Sequence, residues 1–180
     1  VLTSRGLGDV YKRQVVPFIL KQNVRDTTMA TEKAMSFLRG WDFVEDKDSE
    51  ATLVFHSIVK QLIKNLYFDE LSLIGEEYFD AFSSLKYFVH RKLRDLLVDK
   101  TSSWVDNINT KDRVESIDDL LKKSIVDGVQ FIENNYGPNW SNWKWGDAHS
   151  VTHKHMLSKS KLLNLFFNLN VGPFRSGGSD

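Results

Sequence analysis

Ser49-Glu50-Ala51-Thr52-Leu53-Val54-Phe55-His56-Ser57-Ile58-Val59-Lys60-Gln61-Leu62-Ile63-Lys64-Asn65-Leu66 reads as an amphipathic helix. Ser49 supplies a hydroxyl for a backbone N–H that the first turn leaves unpaired, and Glu50 sits at the positive end of the helix dipole. Ala51, Val54, Phe55, Ile58, Val59, Leu62, Ile63 and Leu66 recur at helical spacing on one face, and Thr52, His56, Lys60, Gln61 and Lys64 hold the other.

The same period extends in both directions. Phe68-Asp69-Glu70-Leu71 continues or restarts the helix, and Gly75 loosens the pattern before Tyr78, Phe79 and Phe82. A further helix opens at Ser84, sets Leu85, Phe88, Val89, Leu93, Leu96 and Leu97 at helical spacing, and stops in the polar segment 99–103. Ser116 with Asp119 forms a shortened capping box for a helix carrying Ile117, Leu120, Leu121, Ile125, Val129 and Ile132, which Gly137-Pro138 prevents from continuing. Toward the N-terminus, Asp26-Thr27-Thr28 separates a helix starting over 17–23 from one over 30–39, where Gly40 is expected as a left-handed cap. Beyond Trp140 the residues alternate, and 151–156 and 165–171 are predicted as strands. The fold class is therefore mainly α with a few short C-terminal β-strands.

Composition narrows the function classes. Of 180 residues, 41% are hydrophobic and 12% aromatic, enough for a packed core rather than a disordered chain. Twelve Phe and five Trp exceed what so short a chain readily covers, so an exposed apolar patch and poor solubility in isolation are expected. The formal net charge is zero, without the basic stripe that nucleic acid requires, so no nucleic-acid partner is expected. No cysteine is present, which removes disulfides and thiolate metal sites. The longest apolar run, 162–171, is interrupted by Asn164, Asn168 and Asn170 and is too short to span a bilayer, so no membrane partner is expected either.

His149, His153 and His155 form the densest group of chemistry-bearing side chains. Neutral imidazoles bind zinc, but His149 lies across the Gly146-Asp147 turn from the other two and no His-Glu-x-x-His helix is present. The favoured reading is structural, with ring N–H groups bonded to backbone carbonyls under the tryptophans. Trp140, Trp143 and Trp145 fit either an aromatic wall for an acyl chain or, preferably, anchors that pin a loop on a core. Asp42, Glu45, Asp46 and Asp48 lack the glycine and closing glutamate of an EF-hand and read as a solvated acidic turn. His56 and His90 stand alone on helices, exposed or partly packed. Gly6-Leu7-Gly8 follows no strand and lacks a third glycine at the fingerprint spacing, which argues against a phosphate loop. No Gly-x-Ser-x-Gly elbow exists, and Ser179 has only Asp180 behind it, so no catalytic residue is assigned within the chain.

Asn142-Trp143-Lys144-Trp145-Gly146-Asp147-Ala148-His149, followed by His155, Gly172-Pro173-Phe174 and Gly177-Gly178, resembles the C-terminal part of the β-chain of the penicillin amidase (penicillin acylase) family, with its Trp-x-Trp-Gly-x-x-His box. Leu38-Arg39-Gly40-Trp41-Asp42, Asp48-Ser49 before Ala51, Ser103-Trp104-Val105-Asp106 and the helix start at Ser116 resemble the family in the same order. Met156 after His155, where many members have proline, and Arg175-Ser176 before the double glycine depart from it. Ser4 to Gln14 looks like translated sequencing-adapter read-through, so residues 1–14 are set aside as disordered.

The resemblance implies that residues 15–180 are the helical C-terminal portion of a penicillin amidase-like β-chain, truncated at both ends, from an αββα N-terminal-nucleophile hydrolase. Its parent would be a periplasmic or secreted amidohydrolase cut from a precursor, whose new N-terminal Ser, outside this chain, attacks amides of N-acyl compounds such as β-lactam side chains or acyl-homoserine lactones. The implied partners are the α-chain, the N-terminal part of the β-chain and a small N-acyl substrate. No cofactor is expected in this segment, and calcium belongs at most to the full-length protein. The competing reading is a stand-alone helical interaction module, zinc-assisted through His149, His153 and His155.

Overall fold

The computed structural model describes residues 7–24, 27–167 and 170–178. Its helices are α1 (Leu7–Leu20), α2 (Met29–Arg39), α3 (Glu50–Ser72), α4 (Glu76–Ser84), α5 (Lys86–Val98), α6 (Ile117–Tyr136), α7 (Trp145–Ala148) and α8 (Lys161–Phe167). Strands β1 (Ser150–His153) and β2 (Val171–Arg175) pair antiparallel. The expected class, mainly helical with a little C-terminal sheet, is what the chain adopts.

Local chemistry sets the two longest helices. Ser49 Oγ accepts the Thr52 N–H at 3.2 Å, as its N-cap position predicts. Ser116 Oγ accepts the Asp119 N–H while Asp119 Oδ2 accepts the Ser116 N–H, a complete capping box. At the other end, Gly137 takes φ 82, a conformation open to glycine at little cost, and its N–H bonds to Glu133. Helices α3 and α6 pack together at the centre, burying Phe55, Ile58, Leu62 and Leu66 with Leu121, Ile125, Val129 and Ile132. Gly128 makes their close approach feasible, because a Cβ there would stand 2.9 Å from Ile58 Cα.

Helix α3 departs from its two-faced pattern. Thr52, assigned to the polar side, is fully buried, as are Leu53 and Ser57. The cause is tertiary: α2, α4, α6, α7 and a 3-10 turn at Ser103–Val105 surround the helix. Lys60 and Lys64 remain exposed and lay their ammonium groups over Phe131 and Phe68.

Three further expectations need correction. Helix α1 begins at Leu7 and ends at Leu20 with Pro17 inside it, so residues 7–14, set aside as disordered, are helical. Val15, Val16 and Ile19 give α1 an apolar face with Tyr11, whose ring stacks on His90 of α5 at 4.7 Å. Residues 1–6 and Asp26 lie outside the described residues. Gly40 has φ −91 rather than a left-handed conformation, its N–H bonding to Ser36, and the positive φ of this turn falls on Phe43 at 69. Finally, 165–171 is not a strand. Residues through Phe167 belong to α8, Asn168 and Leu169 lie outside the described residues, and the second strand is Val171–Arg175. Leu162, Leu165 and Phe166 satisfy a helical period as well as Leu165 and Phe167 satisfy a strand period, and a short apolar run does not distinguish them.

Candidate functional site

The Trp-x-Trp-Gly-x-x-His box closes on the loop before α3. Lys144 leads into α7 and pairs with Glu50, while the Trp145 N–H donates to Ser49 and the Gly146 N–H to Lys47 at 2.7 Å. Gly146 lies where a Cβ would meet both Lys47 Cβ and Arg175 Cβ at 3.0 Å, so the glycine of the box is required by crowding from two directions. Trp143 is wholly buried and donates its indole N–H to Gly137. The three tryptophans behave as anchors: Trp143 and Trp145 are in the core, and Trp140 packs against it.

Trp145 sits between two imidazoles, with His56 stacked at 4.4 Å and His149 at 5.0 Å. Its Nε1–H donates to Gly178 at 2.8 Å, and His149 Nδ1–H donates to Ser176 at 3.3 Å. The Ser176 N–H returns to His149, and the Gly178 N–H reaches Glu45. A Cβ on Gly177 would lie 2.6 Å from the Glu45 carbonyl oxygen, which accounts for a small residue at that point. Box, tail and the 43–48 loop are therefore one interlocked unit.

Glu45 forms the polar centre of that unit. Its side chain is 7% exposed, receives His56 Nε2–H at 2.7 Å and lies 3.2 Å from Lys12 Nζ, itself 4% exposed. A buried carboxylate is tolerable only with such partners. Glu45 is thus not part of a solvated turn. Asp42 and Asp46 cap the backbone N–H groups of Val44 and Asp48, and Asp48 pairs with Arg175.

The three histidines singled out in the sequence separate in space. His149 joins the Trp145 stack, His153 tilts against Phe174 across the β1–β2 ladder, and His155 Nδ1 accepts the Leu157 N–H. Among the described residues no three His, Asp or Glu side chains gather where they could hold a metal ion, so the structure does not support zinc assistance of the module. The expectation of ring N–H groups bonded to carbonyls under tryptophans holds for His149. Ser179 lies outside the described residues.

Lys12, His56 and Arg175 take contacts in this unit that no local sequence pattern signals. Arg175 Nε lies 2.8 Å from Asp147 and its Nη2 3.1 Å from Asp48, so it fastens β2 to α7 and to the loop before α3. This residue departs from the family pattern, and its partners are visible only once the chain has folded.

Residues 7–180 match the profile of the penicillin amidase family. The chain belongs to that family. No curated protein and no solved structure matches it. The match begins at the first turn of α1, consistent with that helix being part of the packed structure. Among penicillin amidases, hydrolysis of an amide is the family's chemistry. In this chain the side chains of the box hold the C-terminal tail, with His56, His149 and Glu45 directed to one another, to a backbone carbonyl and to Lys12.

Proposed function

We propose that the chain is scaffold from the C-terminal portion of a penicillin amidase-type amidohydrolase, whose N-terminal nucleophile and oxyanion groups lie outside these residues. The family match over 7–180 carries this reading. Further support comes from α8 and β2, where Leu162, Leu165, Phe166, Phe167, Val171 and Phe174 are more than half exposed. Exposed apolar side chains of that kind fit a segment packed on the rest of its own precursor. The parent would hydrolyse N-acyl compounds, β-lactam side-chain amides or acyl-homoserine lactones among them, in the periplasm or outside the cell. Among the described residues no helix is long and apolar enough to cross a membrane.

The test is hydrolysis of a chromogenic N-acyl anilide by the 180-residue chain and by the product of its reading frame extended upstream. The expected result is no turnover by the chain alone. The extended protein should hydrolyse the anilide through a Ser, Cys or Thr exposed by self-cleavage, and substituting that residue by Ala should abolish turnover. Turnover by the chain alone, or a reading frame bounded close to these residues, would overturn the proposal.

A further inference from the structure

We propose that the hollow lined by α3, α4, α5 and the Ser103–Val105 turn binds a small organic cation whose charged nitrogen adjoins an aromatic or alkyl body. The hollow measures about 430 Å³, room for a single-ring molecule. Tyr67 of α3, Phe82 of α4, Phe88 of α5 and Trp104 of the turn line it, together with Leu96. Ring centroids of Tyr67 and Phe82 are 4.8 Å apart at 61°, and those of Tyr67 and Trp104 are 5.2 Å apart at 59°. Neither neighbour lies flat on Tyr67, so the rings stand as inclined walls and not as a closed stack. Phe88 is 50% exposed and Trp104 39%, which leaves aromatic surface for a ligand to cover.

Charge around the hollow decides the sign of the ligand. Asp95 and Asp99 both line it, one turn apart at the C-terminal end of α5. Like charges at that spacing repel, and the carbonyl end of the helix adds partial negative charge. The last turn of α5 holds no basic residue to offset either. The Thr101 hydroxyl and N–H donate to Asp99 Oδ1 at 2.6 and 3.2 Å, holding that carboxyl below the usual carboxylate range. Opposing them is Lys92, 3.9 Å from Asp95 in a solvent-exposed pair. Lys100 is engaged by Asp118 at 2.9 Å, and Arg91 and Arg94 do not line the hollow. Burial pushes the Tyr67 phenol up to about 12, so it stays neutral. Two carboxylates against one ammonium leave the lining with a net negative charge.

Ring faces attract a cation through their quadrupole, and the carboxylates add Coulomb attraction. An anion would meet both carboxylates and the helix C-terminus. A hard metal ion needs several oxygen ligands, and among the described residues no three His, Asp or Glu side chains gather to supply them. An organic cation matches rings and rim together. The hollow shares no residue with the box, the tail or the 43–48 loop, and its occupancy is independent of amide hydrolysis.

Benzyltrimethylammonium titrated onto the isotope-labelled full chain should shift the Trp104 indole N–H resonance and saturate at millimolar concentrations or below. The Trp143 indole, buried and bonded to Gly137, should stay in place. Benzoate, of similar size and opposite charge, should bind about tenfold more weakly. Asp95→Asn combined with Asp99→Asn should weaken the cation about fivefold, and Lys92→Gln should tighten it about twofold. These three side chains are exposed, so the charge variants keep the fold and remain decisive if Trp104→Ala, expected to abolish binding, does not fold. An unmoved Trp104 resonance, benzoate binding as tightly as the cation, or unchanged affinity in the double Asn variant would each overturn the site.

Discussion

Between α3 and α6 two helices meet mainly through apolar side chains and one glycine, with Asn65 bonded to Ser124 and Asp127 beside them, whereas α7, β2 and residues 176–178 are held by indole and backbone N–H bonds, ion pairs and stacked rings. The first region excludes water by shape: Phe55, Ile58, Leu62 and Ile132 are fully buried. In the second, β1 and β2 are exposed along their length, and order comes from a few directed contacts to the 43–48 loop. Apolar packing spreads stability over many small contacts. A polar lock concentrates it in a few groups, so losing one partner leaves others unsatisfied.

If that contrast is right, Phe55→Ala should have the largest effect, about 3–5 kcal/mol of global stability, because it opens a cavity against Trp41 and Tyr11. Urea unfolding followed by tryptophan fluorescence measures it, and a loss confined to the tail would break the comparison. Glu45→Ala strikes the polar lock, leaving the Lys12 ammonium buried without its carboxylate, and should cost about 3 kcal/mol. Exchange of the Gly178 amide, bonded to the Glu45 carbonyl, should rise before that of α6. Simultaneous loss of both would merge the two regions into one cooperative unit.

Gly128→Ala sharpens the picture of the core. In an exposed helix this change gains about 1 kcal/mol from propensity. Here the new Cβ meets Ile58 backbone atoms within about 3 Å, so a net loss of about 1–3 kcal/mol is expected in thermal melts. Arg175→Ala should be the mildest, under about 1 kcal/mol globally, since its ion pairs are solvent-facing. Its signature is faster exchange at Ser176 with α3 unaffected. A large fall in melting temperature would show the tail to be integral to the core.

The helices were legible because their determinants lie within a few residues of one another. Ser49 and Ser116 cap as their positions predict, and the periodicity of 117–132 marks the buried face of α6. Less was legible where long-range packing decides. Thr52 looks polar in any helical projection and is buried because α3 is enclosed. Residues 7–14 look foreign to the chain, yet Tyr11 and Lys12 pack on His90 and Glu45. The strand expected over 165–171 failed because an apolar run of that length fits both periods. The tryptophan anchors could be read from the box itself, but not the burial of Glu45, whose partners Lys12 and His56 lie on separate helices.

The sequence by itself determined the mainly helical class, the two capped central helices and the penicillin amidase family, since caps, periods and the Trp-Gly-x-x-His box are local patterns. Tertiary structure alone decided that Gly146 is squeezed between Lys47 and Arg175, that the three histidines part, and that Glu45 is buried beside Lys12 and His56. Those outcomes depend on which distant segments share a volume, and the energy of a buried charge or a crowded glycine depends on that neighbourhood, not on the residue itself.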